Sequence, residues 1–345
     1  MDNLVVKVAS SAIVDAKSKN RFSILDPLRF LAAIAVLCYH YSAYFEVEDS
    51  LLIDGAKFGY LGVVFFFMLS GFVISSSAAN ATPLKFAFAR AKRLYPAFIA
   101  CLTITLVVVY LCKGEYWPWQ NILLNGLIIN DYLGVANIDG VYWTLQAELK
   151  FYACVFVLIA FGLFKQHQFW LPLWLATACV HFFTQQPFFM GWFINPSYSF
   201  FFIGGVCALL IHKNRNELII KFYFIISLIF GVATAGEQVK QFIPVVSLAD
   251  IWVVRFLVFS FYVFFYALSQ GKCNFQRVPW WWLYLGAISY PLYLLHNLCG
   301  KTLIEYFQGV LPLSLLVPLI SLLVVLMALA VHILIEKPIA KLKFG

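Results

Sequence analysis

The chain has 345 residues, of which 63% are hydrophobic and 12% charged, with a mean hydropathy of +0.87. Water-soluble domains carry about 25% charged residues, so a soluble globular class is excluded and a polytopic membrane protein is implied. The formal net charge of +8 would suit nucleic acid, but its basic residues sort by membrane side instead, and no nucleic-acid partner is expected.

Along the chain, residues 1–23 come first as a short cytoplasmic tail. They hold Lys7, Lys17 and Lys19 but no apolar region ending in a small-residue cleavage site, which excludes a secretory signal. Apolar runs of the length needed to cross a bilayer then predict ten spanning helices, near 24–45, 58–77, 95–112, 143–164, 169–186, 197–212, 218–234, 250–269, 281–298 and 311–335. Residues 120–130 are apolar but too short to cross, and suit an interfacial or re-entrant piece supported by protein. The fold class is therefore all-α and polytopic, with residues 24–345 forming one transmembrane domain. Eight scattered cysteines show neither paired nor metal-ligand spacing and read as small core residues. No metal site is expected, because the histidines also lack ligand spacing.

With the N-terminus inside, 17 of the 24 lysines and arginines fall on the cytoplasmic side, four outside and three within spans. That bias has the sign of the positive-inside rule and predicts both termini to be cytoplasmic.

Ionisable residues within spans are costly and mark reaction sites, pathways or relays. The first span, LDPLRFLAAIAVLCYHYSAYF, holds Arg29 and His40. Eleven residues at about 100° each bring them back to one helix face, about 16 Å apart along the axis. Arg29 also suits snorkelling to the headgroups, paired with Asp26. His40 also suits an aromatic belt with Tyr39, Tyr41 and Tyr44. In FAFARAKRLYP, Arg90 and Arg93 lie one turn apart, placed either to grip phosphates or to anchor the cytoplasmic helix end. In VYWTLQAELKFY, Glu148 lies about one turn beyond Trp143 and Thr144, where a carboxylate would orient an imidazole or bind sugar hydroxyls; the alternative is a solvated neighbour of Lys150. In AISYPLYLLHN, Tyr290 and Tyr293 lie about one turn apart around Pro291, followed by His296, which suits either structure or acceptor lining.

Six stretches, taken in order, resemble the acyltransferase-3 family of bacterial membrane O-acyltransferases. Arg29 and His40 match its R-x10-H; YLGVVFFFMLSGFVIS is similar to its GVxxFFxxSGF; Arg90-Ala91-Lys92-Arg93 matches RxxR; WTLQAELKFY is similar to W-S/T-L-x-x-E-x-x-F-Y; SYPLYLLHN is similar to SYxLYLxH; and Glu336-Lys337-Pro338 matches the closing E-R/K-P. Pro27, Val64 and Leu149-Lys150 depart from frequent family residues.

The resemblance implies a stand-alone acyltransferase domain, without a fused hydrolase-like domain, in the bacterial cytoplasmic (inner) membrane. It implies transfer of an acyl group, acetyl above all, from cytoplasmic acetyl-CoA to a hydroxyl of an extracytoplasmic or lipid-linked surface glycan. The partners are then acetyl-CoA, the glycan and membrane lipids, with no permanently bound cofactor. His40 becomes the general base or an acyl carrier, and Glu148 orients it or the acceptor. Arg29, Arg90 and Arg93 hold the donor, while Trp143, Tyr290 and His296 line the acceptor. A competing class is a transporter using Arg29, His40, Glu148 and Arg255 as a substrate or proton path, although no internal repeat supports it. A scaffold whose polar groups serve only helix packing is a third.

Overall fold

The structure is a computed structural model, and it describes residues 13–15, 22–44, 51–186, 189–214, 217–272 and 277–342. Most of the predicted tail, 1–23, lies outside the described residues. Its segment β1 (Ile13–Asp15) pairs antiparallel with β2 (Arg277–Pro279). The rest is helical: α1 (Leu25–Tyr41), α2 (Leu51–Ala56), α3 (Gly62–Ala78), α4 (Pro83–Lys113), α5 (Trp119–Gly126), α6 (Trp143–Ala160), α7 (His167–Thr184), α8 (Ser199–Lys213), α9 (Leu218–Phe242), α10 (Leu248–Ser269), α11 (Trp280–Leu295), α12 (Leu298–Phe307), α13 (Leu313–Val331) and α14 (Lys337–Lys341). A π-helical turn, His332–Glu336, joins the last two.

Each of the ten predicted stretches overlaps one of these helices, several of which run past the predicted bounds. Among the described residues, six helical stretches are long and apolar enough to cross a membrane: Asp54–Ala78, Pro83–Lys113, Gly140–Ala160, Leu218–Phe242, Leu248–Ser269 and Leu313–Lys341. The other four, α1, α7, α8 and α11, have 17, 18, 15 and 16 residues. At about 1.5 Å per residue they fall short of the hydrocarbon thickness of about 30 Å. Their reach matters less where neighbouring helices cover them, and α8 is buried along nearly its whole length.

Close packing around α8 depends on glycine. A methyl group at Gly205 would overlap the Met68 carbonyl of α3, and one at Gly71 would overlap the Phe202 carbonyl of α8. The two backbones touch where larger residues would separate them. Gly205→Val is therefore expected to destabilise the protein by about 1–3 kcal/mol or more, seen as a lower Tm in detergent; an unchanged Tm would show that α3 and α8 do not meet there.

The segment after α4 is held by buried amide side chains. Asn125 accepts from the Ile138 amide (2.9 Å) and donates to the Ala136 carbonyl (3.2 Å). Asn130 donates to the Val135 carbonyl (2.9 Å) and accepts from Gln146 (2.9 Å). Side chains thus satisfy irregular backbone that a bilayer would leave unpaired.

Helices α1 and α11 build the site. They run in the same direction: Asp26 abuts Gly286 at one end, and His40 meets His296 at the other. Near that second end the Tyr41 hydroxyl donates to the His296 carbonyl (2.7 Å).

Candidate active site

A cavity of about 140 Å³ lies among α1, α3, α4, α6 and α11. Arg29 reaches it from α1, Arg90 and Arg93 from α4, Glu148 and Tyr152 from α6, and Tyr290 and Tyr293 from α11. Spacings of three and four residues put each pair on one helix face.

The three arginines have different surroundings. Arg29 Nη1 lies 3.5 Å from Asp26 Oδ1, one turn earlier. Arg93 Nη1 lies 3.0 Å from Glu336 Oε1, whose second oxygen meets His332 Nδ1 at 2.8 Å. The π-helical turn carries this Glu336, so the closing Glu-Lys-Pro motif supplies the counter-charge of the RxxR motif. Arg90 stands over the rings of Phe86 (5.8 Å) and Tyr152 (5.9 Å), and its buried Nε has no hydrogen-bond partner among the described residues. Glu148 Oε1 accepts from Ser70 Oγ (3.0 Å) and from the Tyr152 hydroxyl. Three arginines and Glu148 line one confined space, with Asp26 and Glu336 behind Arg29 and Arg93, and this cluster of guanidinium donors suits an anion bearing several oxygens.

Beyond the cavity lies a pair of imidazoles. The rings of His40 and His296 are 5.1 Å apart between centroids. His296 Nδ1 lies 2.7 Å from the Tyr293 carbonyl. A carbonyl only accepts, so the neutral ring carries its proton on Nδ1 and presents a bare Nε2, which is buried and has no partner among the described residues. On the far side, Lys301 Nζ lies 3.4 Å from His40 Nδ1.

Asp139 fixes the turn that follows His296. Its fully buried carboxylate accepts from Asn297 Nδ2 (2.6 Å) and from the amides of Leu298 (2.9 Å) and Val141 (3.1 Å). Burial pushes this carboxyl up, against the lowering effect of those donors. The first residue of α12 is thereby anchored, and Lys301 follows within one turn.

Tyr293 connects the two groups. It lines the arginine cavity, accepts from Thr144 Oγ1 at 3.1 Å, and lies 5.4 Å from the His296 ring.

The predicted residues therefore divide. Arg29, Arg90, Arg93, Glu148 and Tyr290 meet at the cavity, while His40 and His296 meet beyond Tyr293. Glu148, expected to orient His40, has Ser70 and Tyr152 as its hydrogen-bond partners. Trp143 does not line this cavity: its ring packs on Tyr198 (4.9 Å) and Phe67 (6.0 Å). It is Thr144, turned about 100° further around the helix, that faces inward. Lys301 and Asp139, which sequence reasoning left in outer loops, are brought to the imidazoles by contacts spanning 261 and 158 residues; no local spacing signals them.

Comparison with known proteins adds the decisive observation. Residues 22–337 match the acyltransferase domain Acyl_transf_3. The chain belongs to the acyltransferase-3 family. The matched span of this membrane acyltransferase covers both groups of residues, from Arg29 to Glu336. It is 27% identical to the O-acetyl transferase of Shigella phage Sf6 over 150 residues, 39% of this chain and 45% of that protein. It is 24% identical to nodulation protein 10 of Rhizobium leguminosarum bv. viciae over 319 residues, 81% of this chain and 83% of that one. It is 26% identical to acyltransferase MdmB of Streptomyces mycarofaciens over 145 residues, 38% of each. The phage and Streptomyces relatives are thus matched over less than half their length. No solved structure matches the chain.

Proposed function

We propose that this acyltransferase moves an acetyl group from cytoplasmic acetyl-CoA to a hydroxyl of an extracytoplasmic or lipid-linked surface glycan, such as an O-antigen, capsule or exopolysaccharide, in the bacterial cytoplasmic membrane. The reading rests on one juxtaposition: an arginine-lined cavity on one side of Tyr293 and a pair of imidazoles on the other. The charge bias along the chain assigns Arg90 and Arg93 to the cytoplasmic side, where the donor is found, and the printed name of the phage relative supports acetyl as the group moved.

A cavity of about 140 Å³ is below the roughly 300–1,000 Å³ of pockets that engulf a whole ligand. It suits the thin pantetheine arm, with the nucleotide held at its mouth by Arg90 and Arg93. The axial distance from Arg29 to His40, about 16 Å, is of the order of that arm. His40 then takes the proton of the acceptor hydroxyl as the new C–O bond forms. The thioester C–S bond breaks, and the proton passes to the departing CoA sulfur. An imidazole suits this task because it is neutral, and thus able to accept a proton, near working pH. Glu148 works from the donor side, balancing the arginines, while Tyr290 and Tyr293 line the cavity.

Mass spectrometry of surface glycans from cells with and without the protein tests the reading. One added acetyl group per repeat, present only with the protein, is expected. Identical glycans, together with no transfer from labelled acetyl-CoA by protein in vesicles, would overturn it.

A further inference from the structure

We infer that Lys301 is the positioning residue for His40, acting as a neutral amine that accepts the imidazole Nδ1–H and so leaves Nε2 bare for the acceptor hydroxyl. This rests on the role of His40 proposed above.

The geometry raises a question of tautomers. Lys301 Nζ stands 3.4 Å from His40 Nδ1. An ammonium there can only donate, which would put the ring proton on Nε2 and leave that nitrogen no lone pair for a hydroxyl. A neutral amine can accept instead, and Nε2 then becomes the basic atom. The arrangement parallels a carboxylate orienting a catalytic imidazole, with an amine in the carboxylate's place.

The surroundings favour the neutral amine. Lys301 sits in the first turn of α12, where the helix dipole opposes a cation. Of the groups facing it, His40 and His296 are imidazoles and supply no fixed negative charge. Asp139 spends its oxygens on Asn297 and two backbone amides. Glu305, one turn along α12, is engaged by Lys113 Nζ (2.7 Å) and the Tyr44 hydroxyl (2.8 Å). Among the described residues no carboxylate lies within ion-pair distance of Lys301. Burial lowers the Lys301 ammonium below the usual lysine range, against the opposing pull of Asp139 and Glu305.

The step balances without another reagent. The hydroxyl proton moves to His40 Nε2 as the C–O bond forms, giving an imidazolium whose Nδ1–H is held by the amine. Collapse of the tetrahedral adduct breaks the C–S bond, and the Nε2 proton leaves with the sulfur as free CoA thiol.

Three variants of the full-length protein in vesicles, each checked for an unchanged Tm, test the assignment by rate of transfer from labelled acetyl-CoA across pH. Lys301→Gln offers an uncharged acceptor at every pH. It is expected to keep transfer within about tenfold of wild type, and to lack the rise in rate with pH that the inference expects of wild type as Lys301 deprotonates. Lys301→Arg, a permanent cation, and Lys301→Met, whose thioether is only a weak acceptor, are each expected to fall about 100-fold, the lower range for losing acid–base assistance. Arginine performing as well as or better than glutamine would overturn the inference and make Lys301 a structural cation. A Lys301→Gln pH profile that superimposes on wild type would do the same. Absence of transfer by wild type would instead count against the proposed acetyl transfer itself.

Discussion

Replacing His40 by alanine is expected to reduce acetyl transfer by about 10²- to 10⁴-fold, the range for removing a positioned general base, while leaving the protein folded. The second half of that statement follows from the packing. His40 is half-buried, and among the described residues its polar contact is with Lys301, while its ring touches Tyr39 and His296. The bonds that hold the neighbouring turn, from Tyr41 to the His296 carbonyl and from Asn297 and Leu298 to Asp139, do not involve it. His296→Ala is a poorer probe, because that ring is fully buried and its removal opens a hole in the core. The measurement is single-turnover transfer from labelled acetyl-CoA by protein in vesicles, with Tm recorded on the same preparation. Folded His40→Ala protein working at the wild-type rate would remove His40 from the reaction.

The placement of His40 was legible in the sequence because its signal is local. Turn-counting put Arg29 and His40 on one face of the first helix, and both lie on the side of α1 that meets α11: Arg29 shares a cavity with Tyr290, and His40 meets His296. Arg90 and Arg93, one turn apart, likewise reach one cavity. Helix positions were readable for the same reason, since apolar runs specify them residue by residue. Whether a helix is long enough to cross was less so: α8 looks like a span, yet its 15 residues are enclosed by other helices. The partners of Glu148 were hidden because Ser70 lies 78 residues away on another helix. Trp143 was assigned to the acceptor site from its neighbourhood in the sequence, but adjacent positions on a helix point about 100° apart. Lys301 looked like one more outer cation until chain folding set it against His40.

Arg90→Ala is expected to abolish most of the stabilisation that acetyl-CoA gives the protein. Charge-assisted hydrogen bonds contribute about 1.5–3 kcal/mol each, so losing the phosphate contact of one guanidinium should weaken donor binding by about 10- to 100-fold. A ligand at about 100 times its Kd stabilises the folded state by about 2.7 kcal/mol, and a hundredfold loss of affinity at that concentration removes nearly all of it. Arg90 is the informative arginine because, among the described residues, no carboxylate lies within ion-pair distance of it and its buried Nε has no hydrogen-bond partner, so removing it strands no carboxylate and the ligand-free Tm should move much less than for Arg93→Ala. Arg93 differs. Its guanidinium faces the buried Glu336 carboxylate at 3.0 Å, so Arg93→Ala should lower the Tm even without donor, as a buried charge loses a partner. The two variants together separate binding from folding: Arg90→Ala changes the response to acetyl-CoA, and Arg93→Ala changes the baseline as well. If acetyl-CoA raised the Tm of Arg90→Ala as much as that of wild type, the cavity between α4 and α6 would not be where the donor's phosphates bind.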